Sequence, residues 1–121
     1  MKSGFGFLKK LRQINIYKNL TCFNICKYLL GFENANLYLR RIDKNSLKLI
    51  LKKNGAKIGE NCDIENGLIF HNCNDYSNLV IGDNCHIGKN CFFDLREKIE
   101  LGNNVVISMQ STIITHIDLN K

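Results

Sequence analysis

Hydrophobic residues recur every six positions through the second half of the chain. A period of six fits neither an α-helix, whose period is about 3.6, nor an alternating strand, whose period is about two. It is typical of a chain wound as a triangular prism, in which each side is a short strand and each corner a tight turn. The residues that mark this spacing are Ile58, Ile64, Ile81, Ile87, Phe93, Leu101, Ile107 and Ile113.

Glycine, asparagine and a small residue follow in phase with several of these hydrophobic residues. The repeated segments are Ile58–Cys62, Ile81–Cys85, Ile87–Cys91 and Leu101–Val105. Asparagine tolerates the left-handed backbone of a tight corner, and glycine permits close approach of a neighbouring coil. The small residue four places after the hydrophobic one is predicted to pack inward; these positions are Cys62, Cys85, Cys91, Val105 and Ser111.

The repeats predict three coils, with one insertion. The first coil begins at Ile58, the second at Ile81 and the third at Leu101. Because the gap from Ile64 to Ile81 is 17 residues and two hexads take 12, about five extra residues leave the prism near His71–Asn78. The polar, turn-forming composition of this stretch predicts a loop beside the prism, where insertions shape sites or interfaces.

The first half of the chain reads as helical. Hydrophobic spacing favours a helix over residues 1–30, interrupted at Gly31. A second helix is predicted over Leu47–Lys53, with Ser46 as its N-cap and Asn54-Gly55 at its end. We therefore expect a basic helical leader or cap at residues 1–57 and the prism at residues 58–121.

With these repeats, the chain from Gly55 to Lys121 resembles the hexapeptide-repeat acyltransferases. The resemblance implies a mainly β fold, a left-handed parallel β-helix of about three coils preceded by a short helical N-terminal region. The segment Ile107–Asp118 is similar to the one that carries the catalytic histidine in sugar and serine O-acetyltransferases. The implied activity is acetyl transfer from acetyl-CoA to a hydroxyl of a sugar or small metabolite, in bacterial surface-polysaccharide biosynthesis. A serine acetyltransferase-like enzyme is the nearest alternative.

The same resemblance supplies candidate site residues. His116 is the candidate catalytic base, since imidazole titrates near neutral pH, and Asp118 is a candidate to orient it. Asp94, His86 and Arg96 are candidates for binding the acceptor. The sugar acetyltransferases place an asparagine where this chain has Gly88, so their acceptor site is not carried over whole.

The histidines and cysteines also raise metal chemistry. His71, His86 and His116 invite comparison with the zinc carbonic anhydrases of this fold, but the two closely spaced ligand histidines of that family are missing. No pair among the six cysteines has zinc-finger spacing. The sequence therefore predicts no metal and a reduced, cytoplasmic chain.

Charge separates the two halves. Residues 1–57 carry 13 Lys/Arg against two acids, and residues 58–121 have a balance of −5. The basic, aromatic-rich leader suits a solvated cap, a peripheral contact with the anionic inner face of the cell membrane, or nucleic acid. Cap and membrane are favoured over nucleic acid, because no recognition motif accompanies the charge. No apolar run is long enough for a signal peptide or a membrane span.

The resemblance also bears on assembly and completeness. It implies a homotrimer with the active site between neighbouring prisms. Related enzymes continue for several coils that form the groove for the pantetheine arm, whereas this sequence stops at Lys121. We therefore expect a C-terminally incomplete prism with weak acetyl-CoA binding and little activity. An inactive chain with only a structural or membrane-associated role is the remaining alternative.

Overall fold

Helices precede short strands along the chain. The computed structural model describes the backbone of residues 2–115 and the side chains of residues 6–115. The helices are α1 (Lys2–Leu30), α2 (Phe32–Tyr38) and α3 (Lys44–Lys53), and Leu39–Arg41 form a 3₁₀ turn. The strands are β1 (Lys57–Ile58), β2 (Asp63–Ile64), β3 (Ile69–His71), β4 (Leu79–Ile81), β5 (His86–Ile87), β6 (Phe92–Asp94), β7 (Ile99–Leu101), β8 (Val106–Ile107) and β9 (Thr112–Ile113).

The strands form three parallel sheets, which are the three sides of the prism. Their orders are β1-β4-β7, β2-β5-β8 and β3-β6-β9, so each coil gives one strand to each sheet. In the first sheet, Ile58 pairs with Ile81 and Ile81 pairs with Leu101. The fold is the predicted short left-handed β-helix with a helical N-terminal region, and the three predicted coils are confirmed.

The interior of the prism follows the predicted register. The cysteines Cys62, Cys85 and Cys91 are buried, as expected for small inward-facing residues. Their thiols donate to backbone carbonyls of the following coil; for example, Cys85 Sγ lies 3.0 Å from Gly102 O. In the third coil, Val105 and Ser111 hold the same positions but are only half-buried.

The corners also follow the prediction. Asn61, Asn84, Asn90 and Asn104 adopt left-handed backbone angles, with φ between 58° and 61°. Asparagine reaches this region more readily than most residues, because its short side chain bonds locally to the backbone. Gln110 takes the same conformation at the equivalent corner of the third coil.

Close stacking of the coils gives a test of the glycine positions. A Cβ on Gly82 would lie 2.7 Å from the carbonyl carbon of Gly102, whereas a Cβ on Gly102 meets no atom within 4 Å. Gly82→Ala is therefore expected to lower the free energy of unfolding by roughly 1–3 kcal/mol. The matched variant Gly102→Ala is expected to change it by about 0.5 kcal/mol or less. Urea denaturation of both variants measures this, and equal losses would contradict the stacking.

Asp43 organises the helical region, and this corrects the predicted N-cap. Helix α3 begins at Lys44 instead of Leu47, and its N-cap is Asp43, whose side chain accepts from the backbone N–H of Ser46. The Ser46 hydroxyl donates to the same carboxylate at 2.7 Å. Asn15 and Asn19 of α1 also donate to Asp43, so one carboxylate caps α3 and holds α1.

Helix α2 was not predicted. Gly31, with φ of 92°, separates it from α1 as the sequence suggested. The helix is short, packs against α1, and has Ala35 as its buried residue. The predicted end of α3 at Asn54-Gly55 is confirmed, with Gly55 in a left-handed conformation at φ 110°.

The inserted loop is more than a polar loop beside the prism, because Tyr76 within it has no exposed surface. Its ring packs near Phe23 of α1, Phe32 of α2 and Phe70 of β3. The insertion itself was predicted correctly: hydrogen-bonded partners are 23 residues apart across the first coil and 20 across the second. The loop therefore joins the helices and the prism in one hydrophobic core.

Candidate functional site

A buried carboxylate marks one corner of the third sheet. Asp94 is the last residue of β6, pairs in register with His71 of β3, and is only 5% exposed. Its Oδ1 accepts hydrogen bonds from Asn72 Nδ2 at 3.2 Å and from the backbone N–H of Arg96 at 3.1 Å. The Asp94 side chain is thus held between two coils.

The surroundings of Asp94 favour its charged form. Burial opposes ionisation, but the hydrogen bonds from the Arg96 N–H and the Asn72 amide outweigh it and lower the pKa of Asp94 below its usual value. The nearby charge of His71 acts in the same direction. At neutral pH Asp94 is therefore a hydrogen-bond acceptor and not a proton donor.

Thr115 ties the third coil to the same corner. Its hydroxyl donates to the backbone carbonyl of Asp94 at 3.0 Å and accepts from the backbone N–H of Glu97 at 3.2 Å. Consecutive coils therefore bring His71, Asp94 and Thr115 to one edge of the prism. His116 follows Thr115 directly in the chain, but His116 and Asp118 lie outside the described residues.

A cleft of about 360 Å³ lies between α2 and the inserted loop, beside this corner. Asn36 shapes it by donating to the Phe70 carbonyl at 2.6 Å and accepting from the Tyr76 hydroxyl at 2.9 Å. The lining of the cleft presents carboxylate, guanidinium, imidazole and amide groups, which suit a polar ligand with several hydroxyls. The lining residues are Glu33, Asn36, Leu37, Arg40, Phe70, His71, Asn72, Cys73 and Asn74.

Cys73 in this cleft is not an activated nucleophile. Burial, followed by the negative charges of Asp75 and Asp94, raises the pKa of the Cys73 thiol to about 11. The thiolate is the reactive form of cysteine, and at neutral pH almost none is present here. Chemistry at this corner therefore depends on other groups.

His86 lies on a different face of the prism, in the second sheet. Its Nδ1 is 3.2 Å from Asp63 Oδ2, and Lys44 Nζ is 2.9 Å from Asp63 Oδ1. The hydrogen bond from Lys44 is the main cause that lowers the pKa of Asp63, with Lys44 and His86 charges adding to it. Within one chain, the structure does not bring His86 to the corner that carries Asp94 and Arg96.

Arg96 joins the corner by its backbone, and its side chain is exposed in the turn after β6. The sequence did not predict two polar partners of the candidate residues, which are Asn72 beside Asp94 and Asp63 beside His86. Each lies one coil before its partner, 22 and 23 residues earlier. An alignment of the hexads of each coil with those of the next would have predicted both neighbours.

The described residues offer no cluster for a metal ion. Within them, no group of three or more His, Cys, Asp or Glu side chains is arranged to hold one. His71 and His86 belong to different sheets and do not converge. His116, the third histidine of the zinc comparison, lies outside this part of the chain.

The comparison with known families agrees with the fold. A family model described as the hexapeptide repeat of succinyl-transferase matches residues 44–69 and 78–113, just over half of the chain. The two matched stretches leave out most of the inserted loop. No curated protein and no solved structure matches the chain. The matched family includes acyltransferases, which in general use acyl-CoA donors. The chain belongs to the hexapeptide-repeat family.

Proposed function

We propose that this chain is an O-acetyltransferase, which moves an acetyl group from acetyl-CoA to a hydroxyl of a sugar or small metabolite. A bacterial surface polysaccharide precursor is the acceptor class that the resemblance favours, with serine as the nearest alternative. Residues 58–121 form the catalytic prism, and residues 1–57 cap it. The observation that carries the proposal is the corner where Thr115, directly before His116, bonds to Asp94.

His116 acts as the general base in this proposal. It takes the proton of the acceptor hydroxyl as the hydroxyl oxygen attacks the thioester carbonyl. The carbon–sulfur bond then breaks, and the imidazolium returns the proton to the leaving thiolate of CoA. Asp118 orients the imidazole of His116. No metal takes part, since a hydroxyl and a thioester need only proton transfer and a stabilised oxyanion.

The acceptor binds at the corner and in the adjoining cleft. Asp94, fixed as a carboxylate by Asn72 and the Arg96 N–H, accepts a hydrogen bond from an acceptor hydroxyl. The exposed Arg96 side chain and the polar lining of the cleft provide further donors and acceptors. A polyhydroxylated ligand suits this arrangement better than an apolar one.

The proposed assembly is a homotrimer, with each site between two neighbouring prisms. His86 lies on another face from Asp94, so a role for it in acceptor binding requires a neighbouring prism. All six cysteines are free, which suits a reducing cytoplasm where acetyl-CoA is available.

An acetyl-transfer assay tests this function. The chain is incubated with radiolabelled acetyl-CoA and a panel of sugars, nucleotide sugars and serine. We expect slow transfer of label to a hydroxyl acceptor, with free CoA released in equal amount and neither product formed without the chain. Calorimetric binding of acetyl-CoA is a separate measurement of the donor site. Label transferred to no hydroxyl, with acetyl-CoA left intact, would contradict the proposal.

A further inference from the structure

One face of α1 exposes apolar side chains toward both of its ends. Eighteen residues make about five turns of an α-helix, so Ile25 lies in line with Phe7, and Leu29 with Leu11. With Ile14, these residues are between 45% and 69% exposed and extend over about 33 Å of helix. We call Phe7, Leu11, Ile14, Ile25 and Leu29 the outer face of α1.

The opposite face of α1 already has its partners. Phe23 is completely buried, and Asn19 is 7% exposed, bonded to Asp43 and Ser46 beside α3. Leu20 packs partly buried against the same core. The outer face is therefore additional apolar surface, and the fold of the described residues does not need it for the core.

Basic side chains accompany the outer face. Lys10 and Lys18 stand one helical turn before and after Ile14, and with Gln13 and Tyr17 they line a shallow apolar groove of about 540 Å³. Long lysine side chains can lay their methylenes along such a surface while the ammonium groups reach outward. The whole of α1 carries basic residues and no acidic one. Its basic residues are Lys2, Lys9, Lys10, Arg12, Lys18 and Lys27.

We propose that the outer face of α1 binds the surface of an anionic lipid bilayer, with the helix lying in the plane of the interface. The apolar residues enter the boundary between headgroups and acyl chains, and Lys10 and Lys18 pair with lipid phosphates. In the described part of the chain no helix has the length and apolarity to cross a membrane. This inference is independent of the acyl transfer proposed above.

Charge favours lipid over a second copy of the chain as the occupant. Pairing two outer faces would bring Lys10 and Lys18 of one helix against the same residues of another, with no acidic side chain on either α1 to compensate. An anionic bilayer offers negative charge and an apolar interior together. It therefore complements both properties of this face.

Vesicle sedimentation tests the proposal on the whole chain. We expect binding to vesicles of equal parts phosphatidylglycerol and phosphatidylcholine at low salt, and much weaker binding to pure phosphatidylcholine. Raising NaCl to about 0.5 M shortens the Debye length to about 4 Å and should release most of the bound protein. Equal binding to both vesicle types, or no binding to the anionic vesicles at low salt, overturns the proposal.

Paired variants distinguish binding through the outer face of α1 from a general effect of the chain's charge or hydrophobicity. Lys10→Gln/Lys18→Gln is expected to weaken binding roughly tenfold or more, and Lys52→Gln/Lys53→Gln in α3 much less, though both pairs remove two charges. Ile14→Ala/Ile25→Ala is expected to weaken binding at least about tenfold. Its control, Val106→Ala/Met109→Ala, truncates equally exposed residues on the prism.

If an α1 variant and its control lost equal amounts of vesicle binding, the contact with lipid would lie elsewhere and the assignment to α1 would be overturned. Sedimentation velocity without lipid tests the alternative that the outer face binds a second copy of the chain. If Ile14→Ala/Ile25→Ala dissociates an assembly that the parent chain forms, the outer face binds a second copy and the lipid proposal fails. Circular dichroism of each variant confirms that the substitutions at these exposed positions leave the fold intact.

Discussion

Replacing His116 with alanine is expected to lower the rate of acetyl transfer by about 10²–10⁴-fold, the usual contribution of a positioned general base. The loss should appear in kcat with KM for acetyl-CoA little changed, because the imidazole acts on the proton in transit and not on donor binding. The measurement is the steady-state release of CoA with the best acceptor from the panel. Size-exclusion chromatography checks that the assembly state is unchanged.

The two histidines within the described residues, His71 and His86, supply matched controls. His71→Ala alters the edge of the acceptor cleft and is expected mainly to raise KM for the acceptor. His86→Ala removes the partner of Asp63 on a different face of the prism. Neither should reproduce the loss of kcat, and Asp118→Asn should give an intermediate loss if Asp118 only orients the base.

His86 is an alternative candidate for the general base, because its imidazole lies beside the carboxylate of Asp63, which could orient it. Comparing the histidine variants therefore distinguishes the two candidates. The hydrogen bond from Lys44 to Asp63 stabilises the carboxylate charge and leaves it a weaker acceptor for His86. We therefore favour His116. Full kcat in His116→Ala together with its loss in His86→Ala would reverse the assignment.

The prism could be predicted because its signal is local and repeated. Each inward residue, from Ile58 to Ile113, sits six positions from a neighbour of the same kind within its coil, and corner asparagines such as Asn84 confirm the phase. Burial of these side chains fixes the register of the parallel strands. No longer-range information is needed to place them.

Features without such repetition escaped prediction. Helix α2 is seven residues long and has no side-chain cap, so its stability comes from packing against α1. Asp43 and Ser46 are both acceptable caps by composition, and only the hydrogen bonds distinguish them. Tyr76 lies among polar residues and gave no sign of burial, because its aromatic partners are distant in sequence.

The candidate site could be predicted only in part from the sequence, for a related reason. Asp94 was predicted from family resemblance, but its burial and its bond to Asn72 depend on how one coil stacks on the next. The insertion lengthens the first coil, which hides the vertical neighbours in the linear sequence. The cleft also requires α2, which the sequence did not reveal.

Truncating Tyr76 to alanine is the second large effect expected, a loss of roughly 3–5 kcal/mol in the free energy of unfolding. Its ring is completely buried, with centroids 5.2 Å from Phe32, 5.3 Å from Phe70 and 6.5 Å from Phe23. Alanine leaves a cavity where α1, α2, the inserted loop and β3 meet. Those elements cannot all close on it, since each is held by other contacts.

Two further substitutions divide this effect into its parts. Tyr76→Phe keeps the ring and removes the hydroxyl that donates to Asn36 Oδ1, for an expected loss of roughly 1–3 kcal/mol. Burial raises the pKa of Tyr76, so the hydroxyl remains a donor throughout the pH range of such experiments. Tyr28→Ala makes the same truncation at a tyrosine that is 88% exposed, and should change stability by about 0.5 kcal/mol or less.

Urea denaturation followed by circular dichroism, without lipid, measures all three variants. The order of stability should be Tyr28→Ala, then Tyr76→Phe, then Tyr76→Ala, because only the last loses both the hydrogen bond and the packed ring. Tyr76→Phe should also weaken acceptor binding, since Asn36 shapes the cleft and the Tyr76 hydroxyl is its partner. If Tyr76→Ala were as stable as Tyr28→Ala, the inserted loop would not join the helices to the prism, and the cleft between them would lose its physical basis.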